Sequence, residues 1–153
     1  MKALKANIGK SFGPSKEFLV TQEIIDQFAS ATQDLDPLHI DPKWAAENGP
    51  FPSTISFGFL TMSFITAMAH DVLQYEREER DGSSGFPLNY GFNKMRLIAP
   101  VPVNSKIFGI FTIKDVVERK PGQILQTYEV VVHIKGVEKP ALVGEWLALW
   151  VNS

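Results

Sequence analysis

The alternation of apolar and polar residues changes period midway along the chain, from a helical spacing to a strand spacing. After Thr21, the residues Ile24, Ile25, Phe28 and Ala29 recur at the spacing of one helix face. Thr21 suits the N-cap, with Glu23 in the first turn. A second, shorter helix is marked by its ends: Asp41 at the N-cap, Pro42 at the first helical position and Asn48-Gly49 at the exit. A third is expected from about Gly58 to Leu73. Its apolar residues (Phe59, Leu60, Met62, Phe64, Ile65, Met68, Val72, Leu73) run nearly all the way round, which predicts a helix buried on most sides.

The second half reads as strands. Asn89 to Ile98, Lys106 to Val117, Ile124 to Ile134 and Ala141 to Val151 are rich in β-branched and aromatic residues. Pro121-Gly122 suits the centre of a type II turn, and Lys135-Gly136 marks another. The third strand places Ile124, Tyr128, Val130, Val132 and Ile134 on one face, with Thr127, Glu129 and His133 on the other. The last is apolar on both faces apart from Glu145, as expected of a central strand or of one whose outer face meets another subunit. Helices followed by consecutive antiparallel strands define an α+β class. The economical packing wraps the sheet around the one all-apolar helix, which is a hot-dog arrangement. With no internal repeat and no long linker, residues 1–153 read as a single domain. The run from Glu76 to Pro87 reads as a surface connection within it.

Composition narrows the function classes. Of 153 residues, 44% are hydrophobic and 21% charged, which fits a soluble globular chain rather than a disordered one. A net charge of -2 and the lack of any dense basic block give no reason to expect nucleic acid. Cysteine is absent, which excludes disulfides and thiolate chemistry. The basic N-terminus lacks the apolar stretch of a secretory signal. The apolar run from Phe57 to Leu73 is interrupted by Thr61, Ser63, Thr66, His70 and Asp71 and falls short of the roughly 20 residues of a bilayer span. The expectation is a cytoplasmic protein with no membrane partner, and nothing in the pattern calls for a cofactor.

Chemistry concentrates in Ala31 to Asp41. Asp34 and His39 are separated so that a helix would point them about 140° apart and a strand to opposite faces. Pro37 removes an amide donor and biases Asp36 towards an extended backbone, so a loop bent at Pro37 is expected. Such a loop lets a carboxylate and an imidazole share one water, one orienting it and the other accepting its proton. The residues alone leave a second reading, a pair on a surface loop. Asp36 and Asp41 are best explained as turn and cap residues. A calcium loop fails, because counting from Asp34 its required Gly and Glu positions hold His39 and Ala45. His70 reads as a core or helix-end histidine and His133 as a solvated one; a zinc site would need both beside His39. Gly58 stands at the start of the apolar helix. By itself it reads as a packing or turn glycine, but amides at a helix start also attract developing negative charge.

Taken together, these segments resemble the MaoC-type dehydratases, the family that includes the (R)-specific enoyl-CoA hydratases. The hydratase motif Asp-x-Asn-Pro-(aliphatic)-His is matched by Asp34-Leu35-Asp36-Pro37-Leu38-His39, followed by Ile40-Asp41-Pro42 and Ala45-Ala46. Thr54 to Thr61 resembles the family's helix-start segment. Leu88 to Arg96 and Ala99 to Val103 resemble the branch with nodulation protein N-like members. The resemblance implies a hot-dog fold, an obligate homodimer with an acyl tunnel at its interface, and reversible syn hydration of trans-2-enoyl-CoA to (3R)-3-hydroxyacyl-CoA. It also implies Asp34 and His39 as the catalytic pair and the amide near Gly58 as the oxyanion donor. Two positions depart from the pattern: Asp36 replaces Asn, and Phe57 stands where many relatives carry His.

Two other functions remain open. A hot-dog thioesterase would need an acid within the long helix, where only Asp71 is available, near the far end. A binding module would keep dimer and tunnel without turnover. Lys94, Arg96, Lys106, Arg119 and Lys120 are candidates for CoA phosphates by charge and by position near strand ends.

Overall fold

A computed structural model describes residues 5–73 and 85–152. Two short strands, β1 (Ser11–Phe12) and β2 (Phe18–Val20), precede the helices α1 (Gln22–Thr32), α2 (Pro37–Ile40), α3 (Pro42–Asn48) and α4 (Gly58–Val72). Four long strands follow: β3 (Phe86–Leu97), β4 (Ser105–Lys120), β5 (Gln123–Ile134) and β6 (Leu142–Val151). Every pairing is antiparallel, in the order β1-β4-β5-β6-β3, with β2 also on β4. This is the expected α+β hot-dog arrangement.

The expected end signals act as such. The Thr21 hydroxyl accepts from the Ile24 amide at 3.2 Å and starts α1. Asp41 accepts from the Trp44 amide at 2.9 Å and starts α3 with Pro42 behind it. Gly122 turns the chain between β4 and β5 at φ 78°, which suits the third residue of a type II turn after Pro121. The strands β1 and β2 were not anticipated, being too short to show a period. β3 begins at Phe86, ahead of the expected Asn89, so Pro87 belongs to it rather than to a surface connection. A proline is tolerated there because β3 is an edge strand. The rest of that expected connection, residues 76–84, lies outside the described residues.

The core lies between α4 and one face of the sheet. Leu60, Thr61, Ile65, Met68 and Ala69 of α4 are buried. The four apolar ones join a cluster with Ile107, Phe111, Val130, Val132, Leu142 and Trp146. Full burial of each Ile, Leu or Val contributes about 1.5–3 kcal/mol. The helix seats closely on β4, since a Cβ on Gly109 would come within 3.0 Å of the Met68 sulfur. β5 alternates as expected, with Tyr128, Val130, Val132 and Ile134 buried. β6 is a central strand between β5 and β3, the first of its two expected settings.

α4 is buried on most of its sides, as expected. One stripe of it (Phe59, Ser63, Ala67, Asp71) faces outward, with Phe59 72% exposed. Small and polar residues share that stripe at one-turn spacing, and a count of apolar residues around the helix hides them.

Candidate active site

His39 does not sit on a bent loop, as the sequence led us to expect, but on the single helical turn α2. The reason is local. The Asp36 carboxylate accepts from the Leu38 amide at 2.8 Å, and Pro37 occupies the first helical position with its ring preset for helix. The amides of His39 and Asp41 close the turn onto the carbonyls of Asp36 and Pro37, both at 3.0 Å. Asp36 is therefore a cap, as the turn-residue reading had it, and so is Asp41.

The imidazole of His39 is held by two contacts. Its Nδ1 lies 2.7 Å from the Ile55 carbonyl oxygen, and a carbonyl can only accept. Nδ1 therefore carries the proton and donates, which in the neutral ring leaves the lone pair on Nε2. The ring packs on Phe57 with centroids 3.9 Å apart, and Phe57 packs in turn on Phe28. The backbone of His39 is held as well, its carbonyl accepting from Gln22 Nε2 at 2.8 Å. The same Gln22 side chain accepts from the fully buried Thr54 hydroxyl at 2.6 Å. Ile55 is steadied by its own surroundings. Ser56 donates to the Val101 carbonyl at 2.8 Å, Val103 to the Thr54 carbonyl at 3.0 Å, and Ile55 bridges to Pro102.

Asp34, His39 and Gly58 face a common cleft. Its volume is ≈ 260 Å³, and Phe57, Met62, Met95 and Leu97 complete the wall. Asp34 is exposed, and among the described residues no group hydrogen-bonds its carboxylate. Behind it lies a second lobe of ≈ 260 Å³ between Ile55, Ser56, Thr61 and the stretch from Leu97 to Val101, also touching His39 and Gly58. The cleft opens at the start of α4, where Phe57 is the N-cap and no side chain caps the helix. The first amides of α4 thus remain available to an external acceptor, at the positive end of the helix dipole. A Cβ on Gly58 would meet the end of a flexible side chain, Leu97 Cδ1, at 2.2 Å.

The remaining sequence candidates lie elsewhere. His70 is in the last turn of α4. His133 is not simply solvated, because it stacks on Phe108 across β4 and β5 with centroids 5.3 Å apart. Asp71 accepts from the Lys16 amide at 2.6 Å, at the opposite end of α4 from the cleft. Of the basic candidates, Lys94 pairs with Glu145 at 3.7 Å, Lys106 with Glu17 at 3.3 Å, and Arg119 donates to the Tyr90 hydroxyl. Hydrogen bonds from Lys114 hold the Glu145 carboxyl below the usual carboxylate range, with Lys94 adding to the effect. Glu17 is lowered likewise by Lys135 and Lys106. All of these charges belong to the sheet and its edges. Among the described residues, no helix is long and apolar enough to cross a membrane.

Gln22, Thr54, the Ile55 carbonyl and Leu97 escaped the sequence reading. Gln22 looked like an ordinary first-turn residue of α1, and a backbone carbonyl leaves no mark in sequence. The only available hint was Thr54 beside the family-like helix start.

Comparison with known proteins identifies the family. The family profile described as "MaoC like domain" matches residues 3–136. The chain is 35% identical over 142 residues to "Nodulation protein N" of Rhizobium meliloti, covering 93% of this chain and 85% of that protein. It is 34% identical over 148 residues to "3-hydroxyacyl-thioester dehydratase Z" of Mycobacterium tuberculosis, covering 97% and 93%. Among solved structures, the (R)-hydratase from A. caviae involved in PHA biosynthesis superposes with a TM-score of 0.72 at 20% identity, covering 92% of this chain and 94% of that one. A MaoC-like dehydratase from Rhodospirillum rubrum does so with 0.74 at 15% identity, covering 95% and 93%. With its profile matched over most of its length and relatives aligned nearly end to end, the chain belongs to the MaoC-like dehydratase family.

Proposed function

We propose that this chain is an (R)-specific enoyl-CoA hydratase, adding water reversibly to trans-2-enoyl-CoA to give (3R)-3-hydroxyacyl-CoA. The observation that carries the reading is the shared cleft: an exposed carboxylate, an imidazole of fixed tautomer and an uncapped helix start face one another across it. A water between Asp34 and His39 donates one hydrogen bond to each. Its oxygen bonds to C3 as His39 Nε2, which holds the ring's free lone pair, takes a proton. The pair of electrons moves from the C2–C3 double bond onto the thioester oxygen, where the first amides of α4 around Gly58 receive the charge. Such a donor is typically worth about 3 kcal/mol. The proton then passes from His39 to C2 on the same face, the double bond to oxygen reforms, and the addition is syn. Asp34 holds the water and balances the transient imidazolium. The similarity to 3-hydroxyacyl-thioester dehydratase Z supports the reaction class.

The working form is a homodimer in this reading. β3 is the last strand of the sheet, and Phe86, Leu88 and Tyr90 on it are exposed along with Phe59 at the cleft. A second copy would cover them.

The test is the loss of enoyl absorbance when crotonyl-CoA meets the protein, followed by chiral analysis of the product. Release of free CoA thiol without loss of the double bond would instead establish a thioesterase, against which the engagement of Asp71 by Lys16 already argues. Saturable acyl-CoA binding with neither reaction would establish a binding module.

A further inference from the structure

The two lobes of the cleft meet at shared lining residues. Leu97 lines both lobes, together with His39 and Gly58. Its Cδ1 lies where a Cβ on Gly58 would be, 2.2 Å away, so its end rests directly on the start of α4. Yet Leu97 is 58% exposed, so packing does not pin it, and exposed side chains change rotamer within nanoseconds. Each lobe measures ≈ 260 Å³, short of the roughly 300–1,000 Å³ of cavities that enclose small ligands. Joined, they fall within that range. The rear lobe is suited to hydrocarbon. Ile55, Ala99 and Val101 form much of its wall, and the Thr61 hydroxyl there is satisfied by Ser56 Oγ at 3.1 Å and the Phe57 carbonyl at 3.2 Å.

We infer that Leu97 is a gate between the two lobes and sets the acyl chain length that the site accepts. The inference rests on the thioester reading above. A short acyl group is contained in the lobe that holds Asp34. A longer one must pass over Gly58 and so must turn Leu97 aside. Removing the side chain opens the rear lobe, and enlarging it closes the passage.

The test is calorimetric binding of butanoyl-CoA and decanoyl-CoA to the wild-type protein, Leu97→Ala and Leu97→Trp, with thermal melting to verify that each is folded. The expected result is a preference for decanoyl-CoA over butanoyl-CoA that rises by about tenfold or more in Leu97→Ala and falls in Leu97→Trp, in line with the value of extra methylenes in an apolar pocket. A preference that stays within about twofold of wild type in both folded variants overturns the gate, as does absence of acyl-CoA binding by the wild type. Hydration assays on the same chain lengths keep the two ideas apart. Turnover with an unaltered length profile sinks the gate alone. Shifted binding without any turnover leaves the gate standing and sinks the hydratase.

Discussion

The turn that carries His39 and the stretch that carries Asp34 are neighbours in sequence, but the fold holds them in opposite ways. His39 has its ring nitrogen on the Ile55 carbonyl, its ring face on Phe57 and its own carbonyl on Gln22. Asp34 stands exposed at the cleft, and no described group bonds its carboxylate. A base must present one particular nitrogen, and that requires the other to be fixed by a partner that cannot itself donate. A carboxylate has two equivalent oxygens and needs no tautomer, so it can wait for water and substrate to orient it. The contrast suggests that rigidity is concentrated where the choice of atom matters.

The sharpest way to break this contrast is to remove each group. His39→Ala and Asp34→Asn are each expected to lower kcat/KM for enoyl-CoA hydration by about 10²–10⁴-fold. If Asp34→Asn kept near-wild-type turnover, the carboxylate would be an ordinary surface charge and the pairing idea would fail.

Next comes the scaffold under His39. Gln22→Ala leaves the buried Thr54 hydroxyl and the His39 carbonyl without their partner. Melting should show a loss of about 1–3 kcal/mol, and kcat should fall about tenfold with KM little changed. Gln22→Glu restores the acceptor for Thr54 but not the donor to His39, so it should recover stability more than turnover. Equal recovery of both would make Gln22 merely structural.

A smaller effect is expected at the cap of the turn. Asp36→Ala should cost about 1 kcal/mol by denaturant titration, with a severalfold drop in activity. Asp36→Asn keeps the capping oxygen and matches the family motif, so stability and rate should both stay close to wild type. A large change in Asp36→Asn would mean that the second carboxylate acts on the chemistry rather than on the turn.

The smallest effect lies on the sheet. Glu145 is held below the usual carboxylate range by Lys114, so the folded state binds its proton less readily than the unfolded chain does. Its contribution is present above the ordinary carboxylate pKa and disappears as pH falls through the lowered folded value. Melting of Glu145→Gln and wild type should differ slightly near neutral pH and converge in acid, with hydration rates unaffected throughout. A gap that widened in acid would contradict that sign.

Much of this was legible in sequence because local rules governed it. Thr21, Asp41 and Pro42 set their helix starts through contacts within a turn, and β5 displayed its buried face by simple alternation. The same rules misjudged α2, where Asp36 and Pro37 combine as cap and first position, although each also favours a loop. For α4 they gave burial on most sides correctly, and only the single outward stripe was hidden in an average around the helix.

By itself, the sequence determined the α+β succession, the helix ends, the turns and the placing of Asp34, His39 and Gly58 in a family pattern. Tertiary structure alone decided the tautomer of His39, the bridge made by Gln22 and the place of Leu97 over Gly58. The reason is separation along the chain: Ile55 is 16 residues from His39 and Thr54 is 32 from Gln22. Periodicity and capping report on neighbours within a turn or two. Contacts between distant segments exist only once the sheet and α4 have brought those segments together.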